Sequence, residues 1–206
     1  VDDAHLRVPL DVPQRTGVII GVGMGGIASL EESYEHFTSR NLRRVSPFFI
    51  PRLIPNMASG HIALRFGARG PNFATTGACA SGAHALGEAL TLIQAGRQDV
   101  MLAGGAEAPV CLLGVGGFSA MRALATSWND EPERASRPFD ARREGFVIAE
   151  GAGVLVLEEL GRARRRGARV YAELVGYGAN CDAYHMTQPA PEGVGAAECM
   201  ALAIED

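Results

Sequence analysis

The sequence predicts an α/β fold with a parallel sheet at its centre, and two observations lead to this class. Short uninterrupted apolar runs at 17–21, 100–103 and 154–157 have the composition of strands that are buried on both faces. Longer segments with helical spacing of apolar residues lie between these runs, so strands and helices alternate along the chain. We therefore expect helices packed on the faces of one sheet.

The middle of the chain predicts one complete strand–helix–strand unit. A strand at 71–76 precedes a helix at 80–95, and a second strand follows at 100–103. Gly96 ends the helix, whose residues are apolar or small on nearly every side. Such a unit takes a right-handed crossover, and we expect its helix to be buried in the centre of the domain.

The other elements follow in chain order. Gly67 and Gly167 are predicted helix stops, because glycine readily takes the left-handed conformation that ends a helix. The cations at 164–166 suit the C-terminal end of a helix dipole, which explains this charge run without nucleic acid. The segment 170–177 alternates partly polar residues and predicts a strand at an edge or crossing position. Helices are predicted at 30–40, 55–66, 158–166 and 191–206.

Composition limits the class of protein. With 206 residues, of which 47% are hydrophobic, the chain is long enough for one sizeable core, and its net charge of −4 argues against nucleic-acid binding. The four cysteines form no C-x-x-C pair and no histidine has zinc-site spacing, so we expect no metal site and a reducing compartment. No apolar run is long enough to span a membrane, and no signal peptide is recognisable.

Both ends predict a segment of a longer protein. Residues 1–14 are a mixed lead-in without a start methionine. The predicted helix at 191–206 stops without a capping residue or a glycine. We therefore expect an internal fragment.

The stretch 75–82 predicts a reactive cysteine on a turn. Cys79 follows compact residues and stands where a strand passes into the helix at 80–95. At the first turn of a helix, unpaired backbone N–H groups favour the thiolate, which is the nucleophilic form. The N–H of Cys79 would also supply half of an oxyanion hole for a bound carbonyl. The competing interpretation is a buried structural cysteine.

The turn at 21–26 fits the dinucleotide-binding pattern Gly-x-Gly-x-x-Gly, since it follows a strand and precedes a helix. A nucleotide site also needs a second strand that ends in an acidic residue about 20 positions further on. Here 41–44 leads instead into a loop bounded by Pro47 and Pro51. We therefore do not expect nucleotide binding.

Two further groups of residues are interpreted as structural. His84 points to a different helix face from Cys79, so we expect a hydrogen-bonded core histidine rather than a catalytic base. The charged run that begins at Arg137 and includes Arg143 and Glu150 predicts a salt-bridged corner rather than direct chemistry.

Four motifs, taken together, resemble a known family. They are Gly70-Pro71-Asn72 through Gly82, the loop Val45 to Pro51, the run Arg137-Pro138-Phe139-Asp140 with Gly145-Phe146-Val147 and Glu150-Gly151-Ala152-Gly153, and Asp182 to Thr187. In this order they resemble the β-ketoacyl-[acyl-carrier-protein] synthases of the KAS I/II type, which are condensing enzymes of the thiolase superfamily. The resemblance implies a thiolase-like layered fold (α-β-α-β-α) made of two similar halves.

On this resemblance, residues 1–206 are mainly the N-terminal half. The first strand of that half and most of the C-terminal half are then absent. The two histidines and the lysine that complete the family's site lie in the second half, and no match to their motifs is present in this sequence.

The resemblance implies roles for five further side chains. Met24 lines the acyl pocket and helps to limit chain length, and Phe118 forms a wall of the substrate channel. Phe49 reaches across a dimer interface into the partner's acyl pocket. His185 and Thr187 line the entrance for the phosphopantetheine arm. Ordinary packing is the competing interpretation for Met24, Phe49 and Phe118.

The resemblance also implies partners. Arg43, Arg44 and Arg122 match positions at which the family docks its acidic acyl carrier protein, and the competing interpretation is solvated surface charge. A homodimer is implied, with no cofactor beyond the phosphopantetheine that carries the substrates. The implied compartment is the cytoplasm, with the mitochondrial matrix or a plastid as the alternative.

The implied activity is that of a 3-oxoacyl-[acyl-carrier-protein] synthase in fatty acid elongation. An acyl chain passes to Cys79 as a thioester and condenses with malonyl-carrier protein, with loss of CO2. We do not expect the fragment alone to condense. The alternatives are a polyketide ketosynthase, a non-catalytic chain-length partner, a thiolase acting on CoA thioesters, and an inactive interaction or folding remnant.

Overall fold

A four-stranded mixed sheet forms the centre of the computed structural model, which describes residues 1–206. Its strands are β1 (Thr16–Gly21), β2 (Asn72–Thr75), β3 (Val100–Glu107) and β4 (Gly151–Glu158), in the order β2-β1-β3-β4. β1 pairs in parallel with β2 and β3, whereas β4 runs antiparallel to β3. The predicted α/β class is confirmed, and β1 lies between the two strands of the predicted strand–helix–strand unit.

The helices lie between these strands along the chain. They are α1 (Ile27–Thr38), α2 (Phe49–Leu53), α3 (Met57–Phe66), α4 (Ser81–Gln94), α5 (Leu112–Ala120), α6 (Leu160–Arg165) and α7 (Val194–Glu205). Single 3-10 turns occupy Pro13–Arg15, Leu42–Arg44, Pro132–Arg134 and Pro191–Gly193.

The core is divided between the two faces of the sheet because successive strand residues point in opposite directions. Ile19 and Met101 form one buried cluster with Ala85 of α4. Ile20 belongs to a second cluster, against which Ile62 of α3 packs. The two helices therefore cover opposite faces of β1, every residue of which is buried, as its continuous apolar run predicts.

Most predicted elements are confirmed to within a few residues. The strands at 17–21, 71–76, 100–103 and 154–157 are present, although β3 continues to Glu107. Gly67 ends α3 with a φ of +73°, the left-handed conformation expected of a helix stop. α2 and α5 are additions, since no helix is predicted in the loop at 45–51 or in the segment 112–125.

The strand predicted at 170–177 is wrong. This segment has no regular secondary structure, and Tyr171 and Val175 in it are exposed. A strand needs a neighbour to pair with its backbone, and here the end of the segment packs against a helix instead. Gly176 and Gly178 lie so close to α7 that a Cβ on either would collide with its backbone.

The expected burial of α4 is correct for one face only. Ala85 and Leu90 are buried against the sheet, whereas Ala83, Glu88 and Thr91 are exposed. The whole chain exposes 13698 Å², against about 9,200 Å² expected for a compact monomer of this mass. A large part of the apolar surface is therefore free of intrachain contacts. None of the helices combines the length and the apolar character that crossing a bilayer requires.

Candidate active site

Cys79 lies on a tight turn between β2 and α4. Ala78, just before it, has a φ of +48°, a left-handed conformation that is unusual for a residue with a side chain. The buried hydroxyl of Ser81 holds this turn from inside, because it accepts a hydrogen bond from Gly77 N at 3.0 Å and donates one to Ala78 O at 2.6 Å. The turn is thus a defined structure in which Cys79 has a fixed place.

The thiol of Cys79 is exposed and free, which excludes the interpretation of a buried structural cysteine. The backbone N–H of Cys79 donates to no other group of the chain. A substrate carbonyl placed against the thiol therefore finds one N–H donor beside it, which is half of the oxyanion hole that acyl transfer uses.

A second turn lies beside the cysteine turn at the same end of the sheet. Gly21 pairs with Thr75, so the chain leaves β1 and β2 at neighbouring points. The hydroxyl of Thr76 then donates to Val22 O at 3.1 Å, which joins the two turns directly. The glycine-rich turn is thereby placed next to Cys79.

A carboxylate of the protein itself accepts hydrogen bonds from two amides of the glycine-rich turn. Oε2 of Glu107, at the end of β3, accepts from Gly23 N at 2.6 Å and from Met24 N at 2.9 Å. In a nucleotide site these amides bind phosphate, which the negative charge of Glu107 would repel. This geometry supports the expectation that the turn binds no dinucleotide.

A cavity of about 540 Å³ opens beside this turn. Its walls include Gly25 and Gly26 of the turn, Ala106 and Glu107 from the end of β3, and His61 of α3. Met24 is half-buried but is not among the residues that line the cavity. Its predicted role as an acyl-pocket residue therefore rests on the position of its turn.

The two predicted aromatic substrate contacts pack against other rings. Phe49 meets Phe37 edge-to-face with centroids 5.1 Å apart, and Phe118 meets Phe146 in the same way at 5.1 Å. Phe49 and Phe118 are both half-buried. The packing interpretation therefore describes their contacts within this chain, and their roles toward substrate stay predictions.

His185 and Thr187 lie in an exposed loop. Nδ1 of His185 accepts from Thr187 N at 3.1 Å and from Gln188 N at 3.2 Å, which shapes the loop around the imidazole. No hydrogen bond joins either residue to the cysteine turn. The structure thus brings these two predicted residues together in one loop.

The three predicted carrier-contact arginines are exposed. Arg43, Arg44 and Arg122 take part in no ion pair of the chain, so their charges are free. Arg122 and Glu144 line a smaller cavity of about 300 Å³. Hydrogen bonds from the hydroxyl and N–H of Ser127 hold the pKa of Glu144 below its usual range, so this carboxylate stays charged beside Arg122.

The charged corner is built differently from its prediction. Arg137 pairs with Asp140 at 3.7 Å and also stacks on the ring of Trp128, 3.6 Å from its centroid. Arg143 donates to the backbone of Asp140, and Glu150 accepts from Val110 N at 3.0 Å. The Arg137–Asp140 pair agrees with the predicted salt bridge, but Glu150 is bound to backbone rather than to an arginine.

His84 has the hydrogen-bonded environment expected of a structural histidine. Its Nδ1 lies 2.6 Å from the hydroxyl oxygen of Tyr177. Burial raises the pKa of Tyr177, so its phenol stays protonated and is able to donate. The histidine ring also lies against Gly77, where a Cβ would come within 2.6 Å of it.

Sequence reasoning missed three residues of this region: Ser81, Glu107 and Tyr177. Ser81 had a local signal, since serine at the start of a helix commonly bonds nearby backbone. Glu107 had a topological one, because the carboxyl ends of parallel strands meet at one sheet edge. Tyr177 had none, because its partner is 93 residues away in the chain.

No group of three or more His, Cys, Asp or Glu side chains is arranged to hold a metal ion. The exposed thiol, its unpaired N–H and the neighbouring cavity are instead a geometry for covalent acyl chemistry.

Solved structures of high similarity define the class of this protein. A ketosynthase bound to the hexaketide, in complex with its type II PKS acyl-carrier protein, superposes with a TM-score of 0.92 at 36% identity, over 100% of this chain and 52% of that one. A β-ketoacyl synthase from Burkholderia phymatum gives a TM-score of 0.85 at 37% identity, over 95% of this chain and 47% of that one. The chain is thus a thiolase-like α/β protein with its cysteine on a turn.

The family follows from the sequence models. The model of the β-ketoacyl synthase N-terminal domain matches residues 2–163, and that of the C-terminal domain matches residues 171–206. This chain belongs to the β-ketoacyl synthase family, as the four motifs predict.

Two curated relatives have similar sequences. The mitochondrial 3-oxoacyl-[acyl-carrier-protein] synthase of Arabidopsis thaliana is 53% identical over 93% of this chain and 41% of that protein. The 3-oxoacyl-[acyl-carrier-protein] synthase 2 of Staphylococcus aureus is 50% identical over 100% of this chain and 51% of that protein. The chain spans about half the length of these relatives.

Proposed function

We propose that the protein to which these residues belong is a 3-oxoacyl-[acyl-carrier-protein] synthase that elongates fatty acids. The observation that carries this proposal is the exposed Cys79 on the turn held by Ser81, in a chain of the β-ketoacyl synthase family. The names of its 50–53% identical relatives support the same substrate class.

The first step is acyl transfer. The thiolate of Cys79 attacks the thioester carbonyl of the acyl-carrier protein while the N–H of Cys79 donates to the developing oxyanion. The tetrahedral intermediate collapses, the carrier leaves as a thiolate that takes up a proton from water, and Cys79 holds the acyl chain as a new thioester. The chain's own residues supply the nucleophile and one of the two oxyanion donors.

The second step is condensation. Malonyl-carrier protein loses CO2, and the resulting carbanion attacks the acyl carbonyl on Cys79, which forms the new carbon–carbon bond and releases the thiolate. We propose that the histidines which stabilise the malonyl thioester oxygen are supplied by residues outside 1–206. These 206 residues then serve as mainly the N-terminal half of the fold and do not condense alone.

The carrier protein docks, in this proposal, at Arg43, Arg44 and Arg122. All three are exposed and form no ion pair within the chain, which suits an acidic ligand. Docking of this kind is steered by charge, so the rate of acyl transfer falls as salt rises. His185 and Thr187 then line the entrance for the phosphopantetheine arm.

We also propose a homodimer in the cytoplasm, with the mitochondrial matrix or a plastid as the alternative compartment. The Arabidopsis relative is a mitochondrial protein, which supports that alternative. The excess exposed surface and the exposed Phe48 and Ile50 beside Phe49 support a second copy packing there.

A polyketide ketosynthase is the second candidate, favoured by the TM-score of 0.92 to a type II PKS ketosynthase. The exposed thiol of Cys79 opposes the non-catalytic chain-length partner, which has no nucleophile.

The proposal is tested by intact-mass analysis after incubation with a medium-chain acyl-carrier protein. The expected result is a mass gain of one acyl group that disappears in Cys79→Ala. Cys199→Ala is a matched control, because that half-buried thiol already bonds Gly178 O at 3.2 Å. A folded protein that gains no acyl group, or gains one in Cys79→Ala, contradicts the proposal.

A further inference from the structure

We propose that Glu107 is a positioning residue that fixes the Met24 turn and thereby sets the acyl chain length that Cys79 accepts. This inference rests on the proposed function and assigns the length limit to a side chain outside the turn itself.

Glu107 is the only group of the chain that accepts from the two central amides of this turn. Its Oε2 accepts from Gly23 N at 2.6 Å and from Met24 N at 2.9 Å, and neither amide has another partner. Hydrogen bonds to a carboxylate are about twice as strong as those between neutral groups. The backbone from which the Met24 side chain projects is therefore anchored to the end of β3.

The held turn fills the space between the carboxylate and the cysteine turn. A Cβ on Gly23 would lie 2.7 Å from Oε2 of Glu107 and 3.8 Å from Ala78 O, next to Cys79. A shift of Glu107 therefore moves a turn that lies within contact distance of the nucleophile's own turn.

Glu107 and the Met24 turn line the same cavity. Gly25 and Gly26, which follow Met24, and Ala106 and Glu107 are walls of the same space of about 540 Å³. Release of the Gly23 and Met24 amides would change the shape of this cavity, while the two hydrogen bonds of Ser81 still hold the Cys79 turn.

The environment of the other carboxylate oxygen indicates that Glu107 contributes through its two hydrogen bonds to the turn. Oε1 is buried and has no hydrogen-bond partner. An unpartnered buried acceptor costs free energy, so it does not explain the presence of a carboxylate here. The bonds of Oε2 to the turn do explain it.

The test uses the full-length protein. It measures initial rates of Cys79 acylation from acyl-carrier proteins that are loaded with short, medium or long saturated acyl chains. In Glu107→Asp the side chain is one methylene shorter and does not reach both amides. We expect the long-to-medium rate ratio to rise by at least about threefold, because the released Met24 no longer blocks the longer chain. Glu107→Gln keeps an oxygen for both amides and retains the wild-type ratio.

Two further variants keep the proposal testable if Glu107→Asp does not fold. Gly23→Ala places a methyl group against Oε2 and so separates the Glu107 carboxylate from the turn. The long-to-medium rate ratio is therefore expected to rise in this variant as well. In a Met24→Ala background Glu107→Asp adds nothing, since the blocking side chain is already gone. Glu159→Ala is the matched control, because Glu159 also accepts two backbone N–H groups, from Gly161 and Arg162, but lies outside the cavity.

The outcomes are distinct. A fall of equal size for every chain length in folded Glu107→Asp and Gly23→Ala overturns the inference and leaves a structural role only. An unchanged ratio overturns it too. A wild-type protein that is not acylated at Cys79 by any carrier shows instead that the proposed function has failed.

Discussion

The hydroxyl oxygen of Tyr177 lies 2.6 Å from Nδ1 of His84, which stands on the helix that follows the cysteine turn. The tyrosine ring lies directly over Gly87, where a Cβ would collide with it, and the histidine ring lies against Gly77. A continuous line of contacts therefore runs from the segment after α6 to the turn that carries the nucleophile.

Tyr177→Phe is expected to lower the free energy of unfolding by about 1 kcal/mol, because it leaves the half-buried Nδ1 of His84 without its partner. Urea denaturation measures this change. Tyr184→Phe is the control, since the hydroxyl of this exposed tyrosine makes no hydrogen bond in the chain. Equal effects of the two substitutions would show that the His84 contact contributes nothing.

The same tyrosine predicts a loss of stability at high pH. Burial raises the pKa of Tyr177 in the folded protein, above the value of about 10 in the unfolded chain. The folded state therefore holds this proton more tightly, and its contribution to stability is present below about pH 10 and is lost as pH rises through the raised pKa. Urea midpoints of the wild type should fall more steeply with alkaline pH than those of Tyr177→Phe. Parallel curves would contradict the assignment.

The backbone conformation of Ala78 predicts that glycine is tolerated better than valine at this position. Its φ of +48° strains any side chain and most of all a β-branched one. We expect Ala78→Val to cost about 1–3 kcal/mol of unfolding free energy, whereas Ala78→Gly costs little because glycine adopts this conformation freely. Chemical denaturation measures both. A turn that tolerates valine and glycine equally would not have the backbone described here.

Asp99 predicts an acid-sensitive contact at the other end of the sheet. The Arg15 guanidinium, which donates to Asp99 at 2.5 Å, holds the pKa of this carboxyl below its usual range. The contribution to stability is thus complete above the unfolded pKa of about 4 and is lost as pH falls through the lower folded pKa. Asp99→Asn should be less stable at neutral pH and lose less on acidification than the wild type. Asp130→Asn, at an exposed aspartate without hydrogen bonds, is the control.

Arg137 shields the only tryptophan of the chain. Its guanidinium lies 3.6 Å from the centroid of the Trp128 ring, whereas that of Arg142 lies 5.5 Å away. Arg137→Ala should move the tryptophan emission to longer wavelength and increase its quenching by acrylamide, because the ring face becomes open to water. Arg142→Ala should change either signal much less. If the two variants behave alike, the stacking is absent in solution.

The elements that sequence reasoning found have local causes. The apolar run at 17–21 and the stop at Gly67 are properties of neighbouring residues, so β1 and the end of α3 follow from them. The antiparallel direction of β4 and the failure of 170–177 to form a strand depend instead on which partner lies alongside, which no local pattern contains.

The candidate site divides in the same way. Cys79 was predictable because small residues and a strand-to-helix change surround it. Ser81 lies within that stretch, but its hydrogen bonds to backbone groups inside the turn do not follow from its residue type alone. Glu107 acts on the Met24 turn across the sheet, so the pairing of β1 with β3 had to be known first.

The distance along the chain between Met24 and Glu107 has a consequence for synthesis. The two residues are 83 positions apart, and ribosomes add about 5–20 residues per second, so the turn leaves the ribosome roughly 4–17 seconds before its carboxylate does. During that interval the amides of Gly23 and Met24 lack the carboxylate that holds them in the folded protein. The shape of the cavity is therefore completed only once β3 has been translated and has paired with β1.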